Sequence, residues 1–205
     1  MRTFQTVTIV SFLILSIGCG QKHENKSVSA EQSEPVSEKV AKNNTQQKPV
    51  ARPNRPPGST LAPDFTLATT SGELVSMSDL RGKVILLNFW GTWCGPCRVE
   101  LPDFIKLYDK YNKDGLEIVG ITIRRGESIK DVAKFQDQWG LNYLLLNDIN
   151  GNEVSEVTMA YSQAIGQMIN GIPTTLVIDR EGFIVSGFIG PRREQVFYNA
   201  IKPYL

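Results

Sequence analysis

From about residue 59 onward, short apolar runs alternate with stretches that are apolar on one face only. Phe65-Thr66-Leu67 and Leu74-Val75-Ser76 flank the turn signal Ser71-Gly72 and predict a β-hairpin. Residues 83–89 contain an unbroken Val-Ile-Leu-Leu run, the mark of a strand buried on both faces, and residues 116–123 form the next such strand. A helix is predicted after Cys97, through about Tyr111. Ser128 suits an N-cap for a helix to Trp139, with Gly140 as its stop. A short strand at 143–146 follows. Strands at 174–178 and 183–188 then flank the turn Asp179-Arg180-Glu181-Gly182, and a last helix covers roughly 193–203. This order predicts an α/β fold: a central mixed sheet with helices on both faces and an N-terminal β-hairpin extension. The sequence has no internal repeat.

Ahead of residue 59 the pattern changes. Arg2 is the only charge before an apolar stretch over about 7–17, which ends in Leu15-Ser16-Ile17-Gly18-Cys19. A span needs roughly 20 apolar residues, so this shorter stretch reads as a signal h-region. Its end resembles a bacterial lipobox, which implies cleavage before Cys19 and lipid attachment to Cys19. Ser16 departs from that pattern, since leucine is commoner there; an ordinary secreted protein cut nearby is the alternative. Residues 20–58 are dominated by Gln, Lys, Glu, Ser, Asn and Pro, with too little apolar surface to offset the entropy of ordering them. As a flexible tether they would span about 35 Å. The expected division is a lipoprotein signal peptide at 1–18, a disordered tether at 19–58 and one folded domain at 59–205. The domain is expected on the extracytoplasmic side of a bacterial membrane, held by the lipid. A formal charge of +1 gives no basic field for nucleic acid.

The chemistry centres on Trp93-Cys94-Gly95-Pro96-Cys97. Two cysteines three apart at a helix start can face each other, and the helix dipole stabilises negative charge there. The thiolate is the attacking species, so Cys94 is expected to be the exposed nucleophile and Cys97, one turn inside, the resolving thiol. Pro96 costs the first turn nothing, because an N–H there would be unpaired anyway. Zinc wants about four ligands, and this domain offers two cysteines and no histidine, the only one being His23. A structural disulfide usually closes a longer loop. Haem attachment needs His after the second cysteine, where Arg98 stands. No metal or cofactor is expected.

Phe89-Trp90-Gly91-Thr92-Trp93-Cys94-Gly95-Pro96-Cys97 resembles the active-site segment of the TlpA/ResA branch of the thioredoxin superfamily. Ala62-Pro63-Asp64-Phe65, Asp79-Leu80-Arg81-Gly82-Lys83 and Gly171-Ile172-Pro173-Thr174-Thr175 resemble that branch at the expected places, so the likeness spans about residues 61–205. It implies a thioredoxin-like fold and a cis Pro173 beside the cysteines. The Ile172 backbone would then pair with an extended substrate, and Trp93, Gly95 and Pro96 would complete the substrate-binding surface. It also implies an acid at Glu100, three residues past Cys97, which would relay protons if buried; the alternative is a solvated helix residue. Asn88 stands where classical thioredoxins hold a buried Asp, so it can hydrogen-bond but not titrate. Trp93 is expected to shield the site, Trp90 to lie equally well in the core, and Arg124-Arg125 to be a solvated strand end. Two departures lie before Pro173: the chain is several residues longer than the usual pattern, with residues 152–167 suited to an extra helix near the substrate groove, and Gln167 replaces a common tyrosine.

The function implied is reduction of disulfides in extracytoplasmic proteins, apocytochrome c for example, with a membrane thiol donor of the DsbD/CcdA kind as partner. The Gly-Pro dipeptide is that of reducing thioredoxins, at about −270 mV against about −120 mV for DsbA. Two alternatives remain. One is a redox-sensing or binding module. The other is a thiol peroxidase, although Leu87 and Gly91 stand where that chemistry needs Pro and Thr.

Overall fold

The computed structural model describes residues 55–205. The expectations for Cys19, His23 and the signal segment lie outside the described residues.

Eight strands form one sheet: β1 (Thr60–Leu61), β2 (Thr66–Thr69), β3 (Leu74–Ser76), β4 (Val84–Trp90), β5 (Leu116–Thr122), β6 (Leu144–Asn147), β7 (Thr174–Ile178) and β8 (Phe183–Ile189). Their order across the sheet is β1-β8-β7-β4-β5-β6-β2-β3. β4, β5 and β6 run parallel, while β7 pairs antiparallel with both β4 and β8. All seven residues of β4 and of β5 are buried, which is why both read as apolar runs rather than alternating ones. The β2–β3 hairpin pairs Leu67 with Val75 and joins the sheet through β6.

Four helices complete the fold: α1 (Gly95–Tyr111), α2 (Ile129–Trp139), α3 (Glu153–Ala164) and α4 (Glu194–Ile201). They cover both faces. On one face Leu101, Phe104 and Leu107 of α1, Val132 of α2 and Phe197 of α4 pack against Val84, Leu86 and Trp90 of β4. On the other, Val154, Val157 and Tyr161 of α3 pack against Phe65, Ile85 and Phe89. Burying each of Leu101, Phe104 and Leu107 contributes about 1.5–3 kcal/mol, and their i, i+3, i+6 spacing keeps them on one stripe. α2 begins at the expected Ser128, whose hydroxyl accepts the Asp131 N–H while the Asp131 carboxylate accepts the Ser128 N–H. It ends at Gly140 with φ 64°, a left-handed conformation that glycine adopts without a Cβ penalty.

The extra helix expected over 152–167 is α3. It is a layer of the fold rather than an appendage, with Tyr161 fully buried and its hydroxyl donating to the Pro63 carbonyl. The loop after it, residues 165–169, lines a hollow of about 550 Å³ beside β8 and leads into the Ile172–Pro173 turn. At the other end, Arg55 lies on the tether side of the expected boundary, yet its guanidinium sits 3.9 Å from the Phe183 ring centre and pairs with Asp179 at 2.5 Å.

Candidate active site

β4 ends at Trp90, the backbone turns through residues 91–93, and Cys94 becomes the N-cap of α1. Cys94 and Cys97 are joined as a disulfide, with S–S 2.06 Å and Cα–Cα 5.2 Å. The Cys97 backbone N–H points at Cys94 Sγ, 3.1 Å away. The first N–H groups of a helix have no intrahelical acceptor, so a sulfur at the N-cap receives both this donor and the positive end of the dipole. Once the disulfide opens, both stabilise a Cys94 thiolate.

Cys94 was expected to be exposed. It is 4% exposed and Cys97 is 0%. The reason is that Cys94 Sγ turns inward, 3.6 Å from the Ile172 carbonyl oxygen, and packs with the core beneath α1. Access is therefore over the rim formed by Gly95 and Pro96, both exposed, and Ile172, which is half-buried. The Ile172–Pro173 peptide is cis, as the resemblance implied. Its loop is fixed by the Gly190 N–H donating to the Pro173 carbonyl at 2.8 Å and by the Thr174 hydroxyl donating to the Gly171 carbonyl at 2.7 Å.

Glu100 shares the buried stripe of α1 with Cys97 and is 0% exposed. The Asn88 amide donates one hydrogen to Glu100 Oε1 and the other to Thr175 Oγ1, each at 2.9 Å. Asn88 and Thr175 are register partners in β4 and β7, so the sheet itself aims this amide at the helix. Glu100 Oε2 has no partner among the described residues. Burial pushes the Glu100 carboxyl up to about 7; the Arg192 backbone N–H and the Asn88 amide pull the other way without cancelling it. A carboxyl poised at neutral pH one turn from Cys97 can hold or release a proton during thiol chemistry.

Trp90 belongs to the core, 1% exposed. Trp93 is half-buried and fixed by its indole N–H, which donates to the Ile123 carbonyl at 2.9 Å. Gly91 makes room for this: a Cβ there would lie 2.7 Å from Trp93 Nε1 and 2.8 Å from the Ile123 carbonyl oxygen. The threonine that peroxidase chemistry needs at position 91 therefore has no space, and Leu87 is buried in β4.

Of the Arg124-Arg125 pair, expected to be a solvated strand end, Arg125 is exposed while Arg124 is half-buried and paired. Arg124 donates to Asp148 Oδ2 and to the Glu127 carbonyl, both at 3.2 Å. The Arg125 guanidinium carbon lies 3.6 Å from the Trp93 ring centre. Glu127 ties this loop to the site, accepting the Thr92 hydroxyl at 2.5 Å and the Arg125 backbone N–H. Partial burial pushes the Glu127 carboxyl up, but these donors outweigh it and hold the group below the usual carboxylate range. No motif marks residues 125 and 127; their role comes from a loop folding back across more than 30 positions.

The sequence matches the AhpC/TSA family over residues 59–186. It is 36% identical over 145 residues to the thiol-disulfide oxidoreductase ResA of Bacillus subtilis, covering 69% of this chain and 74% of that one. The thioredoxin-like protein YneN of the same organism is 39% identical over 130 residues, covering 63% and 69%. Among solved structures, a thioredoxin-family thiol:disulfide interchange protein from Chlorobium tepidum is 32% identical with a TM-score of 0.63, covering 71% of this chain and 96% of that one. With the Cys94–Cys97 disulfide seated at a helix start beside a cis-proline loop, the chain belongs to the AhpC/TSA family and is a thioredoxin-fold thiol–disulfide oxidoreductase.

Proposed function

We propose that the chain works in the reducing direction, on disulfides of extracytoplasmic polypeptides such as apocytochrome c, while held at a bacterial membrane through lipid on Cys19. The observation that carries the chemistry is Cys94 Sγ at the α1 N-cap, between the Cys97 N–H and the Ile172 carbonyl. The Cys94 thiolate attacks one sulfur of the substrate disulfide, and the other leaves as a thiolate that takes up a proton. Cys97, deprotonated toward Glu100, then attacks Cys94 Sγ and releases the second substrate thiol. The enzyme is left in the disulfide state seen here. Restoring the dithiol requires an electron donor, for which a membrane dithiol protein of the DsbD/CcdA kind is the proposed partner. The direction rests on the Gly95-Pro96 dipeptide and the location on the lipobox-like Cys19 segment.

Cys97→Ser leaves the first step intact and blocks the second, so substrates should accumulate as mixed disulfides with Cys94. Non-reducing gels and mass spectrometry of cells expressing that variant read this directly. Recovery of extracytoplasmic polypeptides supports the reading; recovery of none would remove the reductase role and leave a sensing or binding module.

A further inference from the structure

We infer that Arg125 is a specificity-determining residue that favours substrate polypeptides carrying an acidic side chain beside the attacked cysteine.

Trp93 precedes the nucleophile, and its ring is locked by the Ile123 carbonyl on one edge. Arg125 stacks on the ring face at 3.6 Å, although its own residue is exposed. Gly126, at φ 95°, turns the loop back, and Glu127 grips both Thr92 and the Arg125 backbone. The result is a backbone-anchored loop that sets a cation on the Trp93 face.

Around it lies an open hollow of about 480 Å³, lined by Trp93, Arg98, Arg125, Lys134 and Phe135 with the acids Glu127 and Asp131. The acids are already engaged: Glu127 with Thr92 and the Arg125 N–H, Asp131 with the Ser128 N–H and hydroxyl. Arg98 is engaged too, through two bonds to the Thr92 carbonyl at 2.9 and 2.6 Å. Among the described residues, neither the Arg125 guanidinium nor the Lys134 ammonium has a carboxylate within 4 Å. The hollow therefore offers the unpaired Arg125 cation beside an aromatic wall, with Lys134, whose charge also acts on Asp131, at its edge. A carboxylate on a residue next to a substrate cysteine fits that chemistry, and a lysine there is repelled.

This inference rests on polypeptide disulfides being the substrate. The test uses the full chain reduced with dithiothreitol and then freed of it. Single-turnover exchange is followed by tryptophan fluorescence against three cyclic disulfide peptides identical but for Glu, Ser or Lys beside one cysteine. The Ser peptide reports whether peptide disulfides are substrates at all. The Glu:Lys ratio reports Arg125. The wild-type protein should favour Glu over Lys by about fivefold, as half-saturation rather than maximal rate, and less so at high salt. The ratio should fall toward one in Arg125→Ala, survive in Arg125→Lys and invert in Arg125→Glu. A ratio near one in the wild type, or one unchanged in Arg125→Ala while all three peptides slow together, would overturn the inference and leave Arg125 a structural prop. Exchange with the Ser peptide alongside either result keeps the polypeptide reading; no exchange with any peptide would overturn both.

Discussion

Two glutamates are buried at opposite ends of this sheet, and the protein treats them differently. Glu117, at the start of β5, is 3% exposed and meets the Lys83 ammonium at 2.7 Å. Glu100, beside the C-terminal ends of the strands, is 0% exposed and meets an uncharged amide at 2.9 Å. Each keeps one oxygen without a partner among the described residues. A cation compensates the desolvation of a carboxylate; an amide does so only in part. Glu117 sits against the Lys83 ammonium at the end remote from the cysteines. Glu100 is a group whose charge is undecided at neutral pH, one helical turn from Cys97. Buried carboxylates as such are structural; the lack of a paired cation, with the Arg192 charge too weak to offset burial, makes one of them chemical.

The largest way to break this comparison is Glu100→Gln. The wild-type carboxyl ionises near 4.5 when unfolded and near 7 when folded, so the native state binds the extra proton between those values. Stability from this group is therefore full below pH 4.5 and is lost as pH rises toward 7, by about 3 kcal/mol. Denaturant titrations at pH 4.5 and 8 should show that component in the wild type and not in Glu100→Gln. The same variant should lose the rise in Cys97-dependent resolution through pH 7, since Gln accepts no proton. A wild-type pH dependence kept in Glu100→Gln would remove Glu100 from the proton path.

A smaller effect is expected at the other end. Lys83→Ala strands the Glu117 charge. Because the Lys83 side chain is 43% exposed, water supplies part of the compensation, and the cost should be about 1–2 kcal/mol rather than the 3–5 of a fully buried pair. Glu117→Gln on the Lys83→Ala background should recover part of it. Neither change should alter the pH profile of disulfide exchange. If Lys83→Ala moved that profile, the two ends would be coupled and the distinction between them would fail.

The sheet, the helices and the cysteine pair were legible in the sequence because each depends on local pattern. β4 shows as an apolar run, α2 is bracketed by Ser128 and Gly140, and Cys94-Gly95-Pro96-Cys97 needs only a helix start. Glu100 was placed by its spacing from Cys97, but its burial could not be read from an α1 stripe that also carries Asp103. The packing of the loop at 124–127 is hidden from the sequence for a related reason. Arg-Arg after a strand looks solvated, and only the tertiary fold shows that Gly91 leaves room for Trp93 and that Arg125 lies on its face. The inward turn of Cys94 Sγ likewise depends on Ile172, 78 residues away.

The direction of the chemistry is the central claim, and the midpoint potential of the Cys94–Cys97 couple at pH 7 tests it most directly. Equilibration with defined thiol buffers, read by tryptophan fluorescence, gives the value. A potential below about −230 mV is expected, toward the thioredoxin range near −270 mV. A value near −120 mV, that of a strong oxidant, would contradict the reductase reading and turn the same site toward disulfide formation.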